Sequence, residues 1–292
     1  MNPGLDKFMM RLRMESKEEE NRGKPLLTST DVVRTADFMF SKPLEHDGDS
    51  GSLRLATRKT DRAERYLVKR ACTDCACNDF VYTKLAQAMG YSMPDAVLFQ
   101  LSPDEKRPYF KTEYIIGERY LNVLSDDLSY EEIREQAKNW EQYFPFYGMY
   151  AMTGESDGVE ILLADDHKIY RVDATDAFPL SMWQLDTAGI NREINGTNPY
   201  DLTKRKLLSS DFTDALNYSW CNIHLDSCLK ADTSCKPLFL EPFTRIQEIP
   251  DDYIDDFLNT LCYFYPDFIG DYFKLYLSAL QKQCAEYLEE KR

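Results

Sequence analysis

The spacing of apolar residues changes along the chain, and this change limits the folds that the sequence can adopt. Leu53 to Thr57 alternates apolar and polar residues, and Arg65 to Arg70 is a second short strand candidate behind a charged turn. Residues 78–89 then switch to helical spacing, and strands are predicted again at 96–99 and 109–116. A sheet with one inserted helix is therefore expected in the first hundred-odd residues.

The second half of the chain is mainly helical in character. Ser129-Tyr-Glu-Glu132 is a capping box that opens a helix, and a strongly apolar segment follows, with an interruption predicted at Pro145. The runs 159–163 and 168–172 predict a hairpin, and residues 250–292 return to helical spacing. This order predicts an α+β protein.

The charge balance excludes several classes of partner. The 292 residues include 35 Lys and Arg against 50 Asp and Glu, so the formal net charge is −15. Phosphate surfaces repel such a chain, which argues against nucleic-acid or anionic-membrane binding. No apolar run approaches the ~20 residues of a membrane span, and Met1 to Arg22 lacks the apolar stretch of a secretory signal. We therefore expect a cytoplasmic protein without a membrane span.

Eight cysteines are too few for a disulfide framework in a chain of this length, so reduced thiols are expected. Cys72, Cys75 and Cys77 lie close enough together to suggest half of a zinc site. The second half should be another close pair, whereas Cys221, Cys228 and Cys235 are seven residues apart. We therefore predict that no metal binds there.

A lysine and an aspartate lie where the second strand meets the helix. Lys69 ends the strand, and a lysine there can hold phosphates when a carboxylate orients it. Asn78 is the predicted N-cap of the helix, Asp79 lies in its first turn, and Gly90 is its natural stop. The alternative is that Lys69 is an ordinary solvated residue at a strand edge.

Acidic residues flank the predicted hairpin on both sides. Asp157 precedes it and Asp173 follows it, each beside the end of an apolar strand. A hairpin brings its two ends together, and carboxylates placed in this way can hold Mg²⁺ and orient a hydroxyl nucleophile. Asp165 and Asp166 lie in the turn itself, where aspartate is a common turn residue, and neither adjoins the end of an apolar strand in this way.

Together these segments resemble the HipA-like branch of the protein-kinase-like fold, which includes the phosphatidylinositol-kinase relatives. The resemblance covers residues 45–180. It rests on Tyr66-Leu-Val-Lys69, the helix from Asn78 to Gly90 followed by Met93-Pro94-Asp-Ala-Val, the loop Gly154-Glu-Ser-Asp157, and Val172-Asp173 with Ala177-Phe178. It implies a two-lobed fold with a polar extension at 1–30, a small β-rich ATP-binding N-lobe at 31–117 and a larger helical C-lobe at 118–292.

The resemblance also implies roles for the acidic residues. In the family an acidic residue early in the helix pairs with the strand lysine, which maps onto Asp79 and Lys69. Asp157 matches the catalytic aspartate that orients the acceptor hydroxyl, and Asp173 matches the second aspartate, which holds Mg²⁺. The family's histidine and metal-binding asparagine are missing after Asp157, so Glu160 is the expected second metal ligand.

The nucleotide itself is expected between the two lobes. Gly51 and Ser52 match the loop that covers the phosphates, where backbone N–H groups meet an anion. The segment from Glu113 to Ile115 would pass beside the adenine. ATP and Mg²⁺ are the ligands that the resemblance implies.

Three functions remain open at this stage. The first is an ATP- and Mg²⁺-dependent kinase that phosphorylates a protein Ser/Thr hydroxyl, with Lys69 and Asp157 as its catalytic residues. The second is a pseudokinase that binds a nucleotide or a partner protein, which the altered loop after Asp157 favours. The third is an enzyme of the same fold that transfers adenylate or modifies a small molecule or lipid.

Overall fold

The computed structural model describes residues 12–13, 15–17, 19–20, 27–44, 53–69, 73–101, 116–155, 158–178 and 233–290. The strands are β1 (Val32–Arg34), β2 (Phe38–Phe40), β3 (Arg54–Arg58), β4 (Arg65–Val68), β5 (Ala96–Gln100), β6 (Ile116–Arg119), β7 (Val123–Ser125), β8 (Glu160–Ala164) and β9 (Ile169–Val172). The α-helices are α1 (Thr73–Ala88), α2 (Tyr130–Gln136), α3 (Tyr143–Thr153), α4 (Lys236–Arg245), α5 (Asp251–Phe264) and α6 (Asp267–Glu290). The described residues between 12 and 20 are also helical.

The N-terminal part is a six-stranded sheet in the order β1-β5-β6-β4-β3-β2. β1 runs parallel to β5, and the other neighbours are antiparallel. The predicted pair of strands is confirmed: β3 and β4 form a hairpin whose charged turn is closed by an ion pair between Arg58 and Glu64. Because β6 is the other neighbour of β4, Glu118 of β6 lies opposite Leu67, close to the end of β4.

The helix α1 corrects one prediction and confirms another. It begins at Thr73, so Asn78 is an interior residue of the helix and not its N-cap. Asn78 and Asp79 resembled a helix start because they are polar, but both side chains are buried and make contacts inside the protein. The helix does stop where expected, since Gly90 follows it with φ +84°, a backbone conformation that glycine adopts readily.

The expectation of reduced thiols is wrong at Cys75, which is disulfide-bonded. Cys77, Cys235, Cys262 and Cys284 are not disulfide-bonded. A low cysteine density argues only against a framework of several bridges. A single bridge requires no more than two sulfur atoms at bonding distance.

The part of the chain after β6 is mainly helical, as predicted. The capping box at Ser129 is present, and the predicted hairpin is formed by β8 and β9, with β7 as a third strand. Pro145 does not interrupt α3, because it lies in the first turn, where a missing N–H removes no helical hydrogen bond. The predicted strand at 109–116 lies outside the described residues except for Ile116, at which β6 begins.

The main core joins α1 to the C-terminal helices. It includes Phe80 and Leu85 of α1, Phe144 of α3 and Phe273 of α6, all fully buried. The described residues therefore form an α+β structure with a β-rich N-terminal part and a helical C-terminal part, which confirms the predicted class and is the arrangement expected of a kinase-like two-lobed fold. Within the described ranges, none of the helices combines the length and the apolar character that crossing a membrane requires.

Candidate active site

The ammonium group of Lys69 lies among three carboxyl groups. Its Nζ is 3.3 Å from Glu118 Oε2, 3.5 Å from Asp173 Oδ1 and 3.9 Å from Asp79 Oδ2. These partners come from β6, from the residue after β9 and from α1, so four separate chain segments meet at one point. With 17% of its side chain exposed, Lys69 is not a solvated residue at a strand edge.

The structure brings together three residues that the sequence singled out, namely Lys69, Asp79 and Asp173. It adds Glu118, which sequence reasoning missed. Glu118 is opposite Leu67 in the β4–β6 register and is buried. The available signal was a single charged residue that continues a predicted strand, and such a residue is more often a solvated strand end.

Burial and charge act against each other in this cluster. Burial raises the pKa of Asp79, Lys69 lowers it, and the neighbouring Glu118 and Asp173 raise it further, so it lies above its ordinary value. Burial lowers the pKa of Lys69, but its three carboxyl neighbours outweigh this effect, so Lys69 is charged at neutral pH. One cation faces three acidic groups, and the site therefore has a surplus of negative charge when all are ionised.

A tight turn after β9 positions Asp173. This residue has φ +56°, in the left-handed region that Asp and Asn enter more readily than most residues. The N–H of Ala174 donates to Asp79 Oδ1 at 2.9 Å, and Asn78 Nδ2 donates to the carbonyl of Thr175 at 2.8 Å. The turn is therefore attached directly to α1, which explains why Asn78 and Asp79 are buried polar residues.

A second charged pair lies behind this turn. Arg171 of β9 forms an ion pair with Glu155, and neither side chain is exposed. Arg171 also donates to the carbonyl of Gly158 at 3.1 Å and to the carbonyl of Asp173 at 3.2 Å. Burial raises the pKa of Glu155 to about 7, although Arg171 opposes the shift. Sequence reasoning missed this pair, because each residue is a single charge beside an apolar segment.

The end of α3 fixes the position of Glu155. Gly154 follows the helix with φ +66°, and its N–H and that of Glu155 both donate to the carbonyl of Tyr150. A glycine in this conformation ends a helix without steric cost. The backbone therefore turns sharply before Glu155, toward β9.

Five predicted site residues, namely Asp157, Gly51, Ser52, Glu113 and Ile115, lie outside the described residues. Glu160 is described: it is exposed at the start of β8, opposite Val172 and thus one position in register from Asp173. Among the described residues, no three His, Cys, Asp or Glu side chains are arranged to hold a metal ion. Asp173 is 38% exposed, far more than Asp79 or Glu118, and is the carboxylate that a ligand can reach.

Comparison with solved structures gives a weak likeness, and comparison with sequences gives none. No protein-family model matches the sequence, and no curated protein matches it. The chain is similar to the crystal structure of a Helicobacter pylori proinflammatory kinase, CtkA, with 12% sequence identity and a TM-score of 0.37. The match covers 87% of this chain and 98% of that one. A TM-score this low does not establish a common function.

Proposed function

We propose that this chain is an ATP- and Mg²⁺-dependent phosphotransferase of the HipA-like type, acting on a Ser/Thr hydroxyl of a protein. The observation that supports the proposal most strongly is the contact of Lys69 with Asp79 and Asp173. A strand lysine, an acidic residue of the following helix and an aspartate after a C-terminal hairpin are the three groups that phosphoryl transfer needs beside the phosphates.

The exposure of the three carboxyl groups suggests how a nucleotide would reach Lys69. Asp79 and Glu118 are buried and contact the lysine on its interior side, whereas Asp173 is open to solvent. Phosphate oxygens that enter beside Asp173 can contact the ammonium group from the solvent side, while the two buried carboxyl groups hold the ammonium group in place. Lys69 thus acts as a point charge of fixed position.

The surplus negative charge makes a divalent cation necessary for this reaction. A free polyphosphate would be repelled by the ionised carboxyl groups around Lys69, and Mg²⁺ would offset that charge. Asp173 fits the cation as an accessible hard oxygen ligand, and Glu160 could be a second. Mg²⁺ in phosphotransferases is commonly bound by one or two carboxylates together with phosphates and water, so a complete protein cage is not required.

A pseudokinase is the second candidate, and one observation favours it. The segment after Asp157 lacks the histidine and asparagine of the family, and the carbonyl of Gly158 is bound to the buried Arg171. Such a chain would bind nucleotide through Lys69 and Asp173 without transferring phosphate.

The test uses the purified full chain with Mg²⁺ and γ-labelled ATP, followed by intact-mass spectrometry. The proposal expects labelled protein and a mass increase of one phosphate. Nucleotide binding without label would support the pseudokinase, and an AMP-sized mass increase would support an adenylyltransferase.

A matched pair of lysine variants tests the role of Lys69. Lys69→Met should weaken Mg·ATP binding by about 1–3 kcal/mol, the contribution of a charge-assisted hydrogen bond. Lys84→Met is the control, because Lys84 is also a buried lysine, paired with Asp31, and contacts none of the site residues. Equal affinity of Lys69→Met and the wild type in calorimetry would refute the proposal.

A further inference from the structure

We infer that Arg171 is a positioning residue for phosphoryl transfer, an inference that rests on the proposed function. Its guanidinium group binds Glu155 and the carbonyl of Gly158, the residues on either side of positions 156–157, and also the carbonyl of Asp173. One side chain therefore fixes the positions of Glu155 and Gly158 relative to the turn that carries Asp173.

The free-energy cost of burying the Arg171–Glu155 ion pair indicates that these residues do more than fill space in the core. Arg171 and Glu155 have no exposed side-chain surface, and a buried ion pair is often replaced by apolar residues of similar volume without loss of stability. Within the part of the chain that the structure describes, Arg171 Nε and Glu155 Oε2 also lack a hydrogen-bond partner. An incompletely satisfied ion pair is a poor core element. It does fix the relative positions of three backbone segments.

The donor geometry explains why the residue is an arginine. A guanidinium group presents five N–H donors in one rigid plane, so it can bind two carbonyl groups and a carboxylate at fixed angles. A lysine at the same position keeps the charge, but its single ammonium nitrogen cannot reach all three acceptors in the same geometry.

The test separates positioning from core packing with two double variants. Arg171→Met/Glu155→Leu removes the ion pair and fills its volume, so the fold should be retained. Mg·ATP affinity should stay within about threefold, because Lys69 is untouched and Asp79 and Asn78 still attach the turn of Asp173 to α1. The rate of transfer should fall by about 10²-fold, the loss that a misplacement of about 1 Å can cause. The matched control is Lys84→Met/Asp31→Leu, which removes an ion pair between a buried lysine and a half-buried aspartate and should transfer phosphate at the wild-type rate.

Arg171→Lys keeps the positive charge and tests the same point if the double variant does not fold. It should also lose about 10²-fold in transfer rate while it binds Mg·ATP normally. Transfer within threefold of wild type in either folded Arg171 variant would overturn the inference. A loss of the same size in the Lys84/Asp31 control would do so as well, because the effect would then be one of core stability.

Hydrogen exchange keeps the inference testable if the wild type transfers no phosphate and the proposed function fails. The N–H groups of Ala174 and Phe178 are bound to Asp79 and to the carbonyl of Thr153, so their exchange reports the position of the turn. In Arg171→Lys both should exchange at least about tenfold faster, whereas unchanged exchange would overturn the positioning role.

Discussion

The close approach of α3 and α4 gives a prediction about how the fold supports the site. Gly148 of α3 faces the backbone of α4. A Cβ atom there would lie 3.1 Å from the carbonyl carbon of Phe239 and closer still to its oxygen. Because the obstacle is backbone, Gly148→Ala can be accommodated only if the two helices move apart.

The expected loss of stability follows from two opposing effects. Overpacking a core by one methyl group costs about 1–3 kcal/mol, and alanine recovers up to ~1 kcal/mol of helix propensity relative to glycine. Because the obstacle is backbone, the overpacking cost should lie in the upper part of that range, at about 2–3 kcal/mol, and the net loss is then roughly 1–2 kcal/mol. At about 2–4 °C per kcal/mol for a chain of this size, Tm should fall by roughly 2–8 °C.

Urea and thermal unfolding followed by circular dichroism measure this loss. Gly270→Ala is the matched control, since its Cβ would meet the Sγ atom of Cys262, a side chain that can rotate away. We expect Gly270→Ala to cost less than ~1 kcal/mol, because propensity and overpacking then nearly cancel. Equal losses at both positions, or an unchanged Tm for Gly148→Ala, would refute the argument from the helix contact.

Three further predictions concern the charged groups and the cysteines. Burial raises the pKa of Glu155 to about 7 in the folded chain, above its ordinary value of 4.5, so the folded state holds a proton that the unfolded chain has lost. The stability that the Glu155 proton contributes is therefore fully present below about pH 4.5 and is lost as the pH rises through about 7. The free energy of unfolding, measured with urea at pH 5, 6 and 7, should depend less on pH in Glu155→Gln than in the wild type, and an equal dependence would contradict this. Asp173→Asn should lose Mg²⁺-dependent nucleotide binding, whereas Asp157→Asn should keep binding and lose transfer, and Glu160→Gln should resemble Asp173→Asn in a milder form. Thermal-shift titrations with Mg·ATP and a transfer assay separate these variants. Asn tolerates the left-handed backbone conformation at position 173, so the fold should be kept in Asp173→Asn. Equal thermal shifts for Asp173→Asn and the wild type would show that Asp173 does not bind the metal. Elemental analysis should find no zinc, because Cys75 is in a disulfide and cannot act as a thiolate ligand, and about one zinc per chain would show that prediction to be wrong.

The sequence predicted the elements whose residues lie close together in the chain. The hairpin of β8 and β9 and the capping box at Ser129 depend on spacings of a few residues, so the pattern alone was sufficient for them. The parallel pairing of β1 with β5 was not predicted, because it joins Val32 to Leu98 and leaves no local signal.

The candidate site was also predicted only in part. Lys69, Asp79 and Asp173 were recognised because a family pattern places them at strand and helix ends. Glu118 and Arg171 were missed, since a single charged residue within an apolar segment gives no sign of whether its side chain points to solvent or to the interior. The register of the neighbouring strands determines that, and the register depends on the assembled sheet.

The cluster around Lys69 has a consequence for the unfolding of the whole chain. Its members come from the residue after β4, from α1, from β6 and from the turn after β9, so the site exists only while the sheet and the helical part are both folded and in contact. A molecule that binds there is in equilibrium with this complete state alone, and it stabilises both parts together by mass action. Added in excess, such a molecule should therefore turn any separate melting of the two parts into a single cooperative transition.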